Sequence, residues 1–378
     1  MKEKKSFPNR RTFIETTGKL SAGAITTAMV AGGFFTGSPA MARDPDKKLG
    51  VALVGLGSLS TKQIAPALQK TAHCRLAGIV SGTPEKRKKW ASQYDLPESS
   101  IYDYESFDKI ADNDDIDIVY VVLPNSMHAE YTIRAAKAGK HVFCEKPMAN
   151  SSEDCRKMIN ACRDAGKKLG IGYRCQFEPH HLECMKLAAE KTFGELKHIT
   201  AGFGFKIGNP KQWRLNKELA GGGPLMDVGV YALQACRYLT GGEPESVSAM
   251  EIKTDPVKFA EVEETLDWSM QIGNVSCSCQ TSYAYNGINS FHAYCTKGQF
   301  GLSPAYSYKG IKGTSSKGPI EFPQADHFQL ELDDFAQCVK NDTATKVPGE
   351  EGLRDLLVVE AIYKSAASGE TVTPAAFE

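Results

Sequence analysis

Leu49-Gly50-Val51-Ala52-Leu53-Val54-Gly55-Leu56-Gly57 is the stretch that decides the fold. A short aliphatic run stopped by glycine reads as a buried strand, and the residues after it, Ser60–Thr71, read as a helix. Taken alone, Gly-x-Gly is no more than a turn. Between a strand and a helix it is the start of a dinucleotide fingerprint. Gly55 permits the tight turn, and Gly57 lets the backbone approach a pyrophosphate at the helix amino end, with Ser58 and Leu59 completing the loop. Ser60 stands where the third glycine of the pattern would be.

Working outward, the same alternation repeats. Strands are expected at Arg75–Val80, Asp117–Leu123, His141–Cys144 and Leu169–Tyr173. Helices are expected at Pro84–Tyr94, Met127–Ala138 (stopped by Gly139) and Ser152–Ala165 (stopped by Gly166). This is the pattern of an N-terminal Rossmann domain, a doubly wound parallel sheet. Beyond Glu178 the texture changes. A helix at His180–Thr192 leads into alternating strands at Leu196–Phe205, Ser246–Lys253, Glu263–Gln271, Val275–Ser282, Ser290–Cys295 and Gly298–Leu302, punctuated by helices at Leu225–Leu239, Gln324–Lys340 and Glu350–Ser368. These predict a C-terminal α+β domain with an open, mostly antiparallel sheet. No internal repeat or low-complexity linker interrupts the chain.

The end of the second strand reports on the cofactor. NAD enzymes usually place Asp or Glu there; this chain has Ser81-Gly82-Thr83, then Lys86. A small hydroxyl with a nearby cation suits a 2′-phosphate, so NADP is expected. Arg87, Lys88 and Lys89 also read as a solvated helix face. Leu123, Pro124 and Asn125 end the next strand at the crevice, on the nicotinamide side. His128 could contact the cofactor, although a lone histidine is more often structural.

Cys144-Glu145-Lys146-Pro147-Met148-Ala149 closes another strand and puts Glu145 and Lys146 in the same crevice. Downstream, Gly221-Gly222-Gly223-Pro224 opens a helix on which Asp227 and Tyr231 are four residues apart and share a face. Hydride exchange with a carbinol needs a group to take or return the hydroxyl proton. Tyr231 is expected as general acid/base, its pKa lowered by the Lys146 ammonium, with Asp227 orienting the substrate hydroxyl. The plainer alternatives are a first-turn charge and a core aromatic, and spacing alone does not choose between them.

Composition narrows the partners. The 378 residues balance 45 Lys plus Arg against 45 Asp plus Glu, so no nucleic acid or membrane surface is implied. Residues 1–42 read as an export signal: a basic head, an apolar stretch from Leu20 to Phe35, and Ala40-Met41-Ala42 as the cleavage site. Asn9-Arg10-Arg11-Thr12-Phe13-Ile14 resembles a twin-arginine signal, and an ordinary secretory signal is the alternative. A periplasmic location follows as an expectation. The eleven cysteines show no metal-ligand spacing and read as buried, unpaired thiols, with no metal expected.

Glu145-Lys146-Pro147, Tyr173-Arg174, Gln212-Trp213-Arg214, the Gly221–Asp227 run and Gly349-Glu350-Glu351-Gly352 resemble the glucose–fructose oxidoreductase branch of the Gfo/Idh/MocA family. The resemblance covers nearly the whole chain after the signal. It implies Lys146, Asp227 and Tyr231 as the catalytic trio and a cis Lys146–Pro147 peptide. It also implies Ser81 and Lys86 at the NADP phosphate, and Tyr173, Arg174, Trp213 and Arg214 near cofactor and sugar. Tyr283, Tyr285 and Tyr294 either join that pocket or face the sheet core. The implied domains are NADP-binding (43–174), substrate and oligomerisation (175–345), and a C-terminal helix (346–378) packed back on the first domain. Assembly would be a homodimer or homotetramer through the second sheet. The long arm that precedes the first strand in the glucose–fructose enzyme is expected to be missing, which bears on cofactor retention. The implied activity is oxidation of an aldose to its lactone with reduction of a second sugar. The alternatives are an NAD(P)-dependent glycoside hydrolase, a simple NADP-dependent sugar dehydrogenase and a non-catalytic sugar-binding module.

Overall fold

The computed structural model describes residues 47–377; the export signal expected over residues 1–42, and the processed start expected after it, lie outside them. The first sheet has six strands in the order β3-β2-β1-β4-β5-β6, all parallel. They are β1 (Leu49–Val54), β2 (Cys74–Val80), β3 (Ile101–Tyr102), β4 (Ile118–Val121), β5 (His141–Cys144) and β6 (Leu169–Ile171). Every residue of β1 and β4 is buried, as the unbroken aliphatic runs require. The order reverses between β1 and β4, and ligands of such sheets bind in the crevice at that reversal.

Helices flank this sheet at α1 (Ala65–Leu68), α2 (Pro84–Tyr94), α3 (His128–Lys137) and α4 (Ser152–Asp164). The helix expected from Ser60 opens as a wide π turn over Ser60–Ile64, in which the Ala65 amide donates to the Ser60 carbonyl five residues back. Pro66 follows, and its missing N–H removes the next donor of a regular α-helix.

The second sheet runs β14-β13-β12-β11-β7-β10-β9-β8. Its strands are β7 (Leu196–Gly204), β8 (Ser246–Ile252), β9 (Thr265–Ile272), β10 (Val275–Ser282), β11 (Asn289–Cys295), β12 (Gly298–Leu302), β13 (Gly313–Ser315) and β14 (Gly318–Ile320). All described pairings are antiparallel except β7 with β10. Around it lie α5 (Pro179–Ala189), α6 (Lys217–Ala220), α7 (Val230–Thr240), α8 (His327–Lys340) and α9 (Gly349–Ser368). β3, β13, β14 and α6 were not expected; at two to four residues they are too short to show a period.

The C-terminal helix packs back on the first domain, as expected, and reaches further. α9 packs against α4 of the first domain and also against β8, so it bridges both sheets. Its Asp355 anchors a buried ionic network: Asp355 Oδ1 accepts from Arg237 Nη1 of α7 at 2.5 Å, and Oδ2 accepts from Gln234 at 2.7 Å. Glu243 accepts from Nε and Nη2 of Arg237, and Glu351 accepts from Nη2. Gly352 is tight for a reason: a Cβ there would lie 2.6 Å from the Met148 sulfur. All eleven cysteines are free and all but Cys295 are buried, acting as small apolar residues. No described helix is long and apolar enough to cross a membrane, and no described cluster could hold a metal ion.

Candidate active site

A cavity of about 470 Å³ lies over the carboxyl ends of β1, β4 and β5 and reaches across to α7. At one end is the glycine loop. Gly55 has φ +96°, and a Cβ there would sit 2.3 Å from the Val122 carbonyl, so no other residue fits between β1 and β4. Ser60, in place of a third glycine, donates its hydroxyl to the Gly55 carbonyl at 2.6 Å and pins the loop. Gly57 differs: a Cβ there would meet nothing within 4 Å and would stand in the open cavity. The loop is thus shaped to let a bulky anionic group approach the backbone, which fits a pyrophosphate.

Ser81, Gly82, Thr83 and Lys86 line the same end. Tyr104 crowds Gly82: a Cβ there would lie 3.0 Å from an edge atom of its ring. Arg87 is occupied elsewhere, donating to the Ser81 carbonyl at 2.6 Å, so Lys86 is the cation available to a 2′-phosphate. Lys86→Ala is expected to weaken NADP about tenfold with little change for NAD, the loss of one charge-assisted contact. Parallel fluorescence titrations with the two nucleotides measure this.

Leu123, Pro124, Asn125, His128 and Glu145 form the middle of the cavity wall. His128 is a clamp: its two ring nitrogens lie 2.9 Å from the carbonyls of Leu123 and Pro147, tying the end of β4 to the loop after β5. Asn125 donates to the Ala220 carbonyl at 2.8 Å and holds the glycine-rich entry to the next helix. Glu145 is buried and accepts from Tyr120 at 2.7 Å; burial raises its pKa. The Lys146–Pro147 peptide is cis.

The far end carries Lys146, Asp227 and Tyr231. The Lys146 ammonium donates to the backbone carbonyl of Asp227 and lies 3.9 Å from its carboxylate. Asp227 Oδ2 also accepts from Arg214 Nε and from the Tyr283 hydroxyl, each at 2.9 Å. Burial opposes the Asp227 charge, but Arg214 and Lys146 outweigh it and hold the carboxyl below its usual range. Burial lowers the Lys146 pKa, with Asp227 opposing.

Tyr231 corrects an expectation. Lys146 does not face its hydroxyl; the ammonium sits over the ring, 4.7 Å from the centroid. Arg174 holds the hydroxyl instead, donating from Nε at 3.1 Å. Burial prevails over that charge, and the phenol is raised well above its ordinary pKa. Tyr231 is therefore a neutral acid whose oxygen accepts from Arg174, leaving its O–H to point at a bound oxygen. Arg174 is itself fixed by the Tyr306 carbonyl at 2.6 Å and by Nδ1 of His327.

The turn that presents Asp227 is a π turn, Leu225–Gly229, continuing into α7. Buried Glu263 caps it, accepting from the amides of Gly223 and Leu225 and from the Tyr363 hydroxyl of α9. The glycines before it have no room for side chains: a Cβ at Gly222 would fall 1.9 Å from the Tyr363 oxygen. Glu263 and Tyr363 carry no local signal, because their partners are far away in sequence.

Of the residues expected at the site, Tyr173 is misplaced. Its ring is buried behind the cavity, beside Asp355 and Tyr238. Tyr283 is also buried but reaches Asp227, while Tyr294 faces outward and stacks on His198. Trp213 and Arg214 line the cavity, the guanidinium 4.6 Å from the indole centroid. Leu56, Tyr104, Val122, Tyr308 and Phe328 line it too and were not anticipated.

Comparison with known proteins agrees with this architecture. Residues 49–173 match the oxidoreductase family with NAD-binding Rossmann fold, and residues 181–301 match the GFO/IDH/MocA C-terminal domain. The crystal structure of aldose–aldose oxidoreductase from Caulobacter crescentus, complexed with glycerol, superposes with a TM-score of 0.84 at 46% identity, over 86% of this chain and 100% of that one. The D-xylose 1-dehydrogenase [NADP(+)] of Haloarcula marismortui is 30% identical over 343 residues, covering 86% of this chain and 93% of that protein. A 3-ketoreductase from Actinomadura kijaniata, in complex with NADP, shares the fold at 21% identity and a TM-score of 0.73, over 84% of this chain and 98% of its own. With both domains matched and the glycine loop, Lys146, Asp227 and Tyr231 around one cavity, the chain belongs to the Gfo/Idh/MocA family of oxidoreductases.

Proposed function

We propose that this chain is an exported aldose oxidoreductase that retains NADP, oxidises one sugar to its lactone and then reduces a second sugar. NADP-dependent oxidoreduction of a sugar carbinol rests on the family and on relatives named for that chemistry. The two-sugar cycle is supported by the 46% identity to an aldose–aldose oxidoreductase. Export is supported by the Arg10-Arg11 signal.

The observation that carries the reading is the convergence of Lys146, Asp227 and Tyr231 at one end of a cavity whose other end is a glycine loop. Gly55, Gly57, Ser81 and Lys86 would hold NADP, which when bound supplies the two-electron acceptor and donor. Asp227, pinned by Arg214 and Tyr283, accepts a hydrogen bond from a sugar hydroxyl and orients the ring. Tyr231 moves the proton at the reacting oxygen: its neutral O–H protonates the carbonyl of the second sugar during reduction, and Arg174 steadies the phenolate that remains until it takes the hydroxyl proton of the next aldose. Lys146 donates toward the same oxygen and offsets its developing charge.

Homo-oligomerisation through the second sheet belongs to the same proposal. It is supported by Met250 and Ile252 of β8, which are 58% and 39% exposed on that sheet's edge. The test is the absorbance and fluorescence spectrum of protein taken through gel filtration, then given glucose and fructose in turn. Bound nicotinamide that is reduced by one sugar and reoxidised by the other is expected. A protein that loses its cofactor and reduces only added NADP is instead a simple dehydrogenase, the reading favoured by the D-xylose 1-dehydrogenase relative.

A further inference from the structure

Tyr308 stands where no sequence signal pointed, in the connection between β12 and β13, and it lines the cavity beside the acid/base set. The residue is 44% exposed. Its carbonyl accepts from Nε2 of His327 at 3.1 Å, and its ring lies 5.4 Å from that of Phe328. The Arg174 guanidinium sits 4.9 Å from the Tyr308 ring centroid and 4.8 Å from that of Tyr231. One cation therefore contacts both rings and joins them into a stack. An aromatic ring that is fixed from behind and uncovered in front is a platform for the apolar C–H face of a pyranose.

From this geometry we infer that Tyr308 is the stacking platform for the aldopyranose and a determinant of which sugars the enzyme accepts. The inference rests on the sugar-oxidoreductase reading and deepens it. A pyranose laid on Tyr308 places its hydroxyl edge toward Asp227 and Tyr231, while its ring face covers the Arg174 stack and excludes water from it. The contact is made equally in ground and transition states, so its loss acts on sugar binding more than on turnover. Sugars with a flat, unbroken C–H face gain most.

The test compares wild type with Tyr308→Phe, Tyr308→Trp and Tyr308→Ala in the full-length enzyme, using glucose and xylose as probes and measuring NADP affinity alongside. The expected result is a rise of about tenfold or more in the sugar KM for Tyr308→Ala. Its kcat should fall no more than a few-fold, the aromatic variants should stay near wild type, and NADP affinity should be unchanged. An unchanged KM in Tyr308→Ala overturns the proposal. So does loss of NADP affinity, which would make the ring part of the cofactor site. Equal impairment of Tyr308→Phe and Tyr308→Ala also overturns it, by assigning the effect to the hydroxyl. Should Tyr308→Ala fail to fold, Tyr308→Leu gives the same comparison of an aliphatic with an aromatic side chain. Failure of the wild type to reduce NADP with any aldose would overturn the sugar-oxidoreductase reading itself, a result separable from all of these.

Discussion

Tyr231→Phe is expected to lower kcat by about 100- to 10,000-fold, the usual worth of a positioned proton donor. The ring would still lie beneath Lys146 and beside Arg174, so packing and the cation–π contacts survive. What disappears is the oxygen that accepts from Arg174 Nε and the proton it carries. Leaving one guanidinium donor unpaired costs about 1–3 kcal/mol of stability, small beside the catalytic loss, and Arg174 keeps its bonds to Tyr306 and His327. NADP affinity should not move, because the hydroxyl lies at the opposite end of the cavity from the glycine loop. Single-turnover reoxidation of the reduced, cofactor-loaded protein by a saturating second sugar is the measurement, because that half-reaction consumes the Tyr231 proton. A loss below tenfold would transfer the proton to another group, and Lys146, whose pKa burial lowers, would be the next to replace.

Asp355→Ala should lower stability by about 3 kcal/mol. Arg237 is 3% and Asp355 1% exposed, so water does not replace the lost carboxylate. Breaking a buried ion pair typically costs about 3–5 kcal/mol, and the lower end applies because Glu243 and Glu351 still hold two faces of the guanidinium. Gln234 also loses its acceptor. Asp355→Asn, which keeps an amide oxygen for one of these donors, should cost less. Denaturant unfolding of the three proteins with NADP absent separates the effect from ligand stabilisation. If Asp355→Ala melts with the wild type, the network is structurally idle and the docking of α9 rests on its apolar face alone.

The sequence was most legible where function and local chemistry coincide. Gly55, Gly57, Ser81 and Lys146 are tied to strand ends, so a run of aliphatic residues locates them without tertiary information. Tyr308, from the β12–β13 connection, and Phe328, from the first turn of α8, reach the cavity from parts of the chain far beyond Arg214, and nothing in their neighbourhood marks the destination. Tyr173 fails for a different reason: it adjoins Arg174, but the chain turns there, and successive side chains point to opposite sides. The tyrosine enters the core beside Asp355 while the arginine enters the site. The tyrosine–lysine pairing failed because it considered charge without direction. An ammonium over a ring face does little for a hydroxyl at the ring edge, and burial then dominates. The two π turns carried no pattern of their own, since the hydrophobic period changes little over a single turn.

The parallel pairing of β7 with β10 has a consequence for synthesis. β7 emerges from the ribosome first, yet both of its neighbours, β10 and β11, are made more than 70 residues later. Tyr363 and Asp355, which brace the Asp227 turn and α7, come later still. A nascent chain can complete its nucleotide loop early but has no aligned acid until its last helix has been made and docked. Non-local closure of this kind is slow and leaves sheet edges exposed in the interim. A polypeptide threaded unfolded through a narrow pore would have to repeat that assembly on the far side, without the reservoir of nucleotide in which the first loop was made.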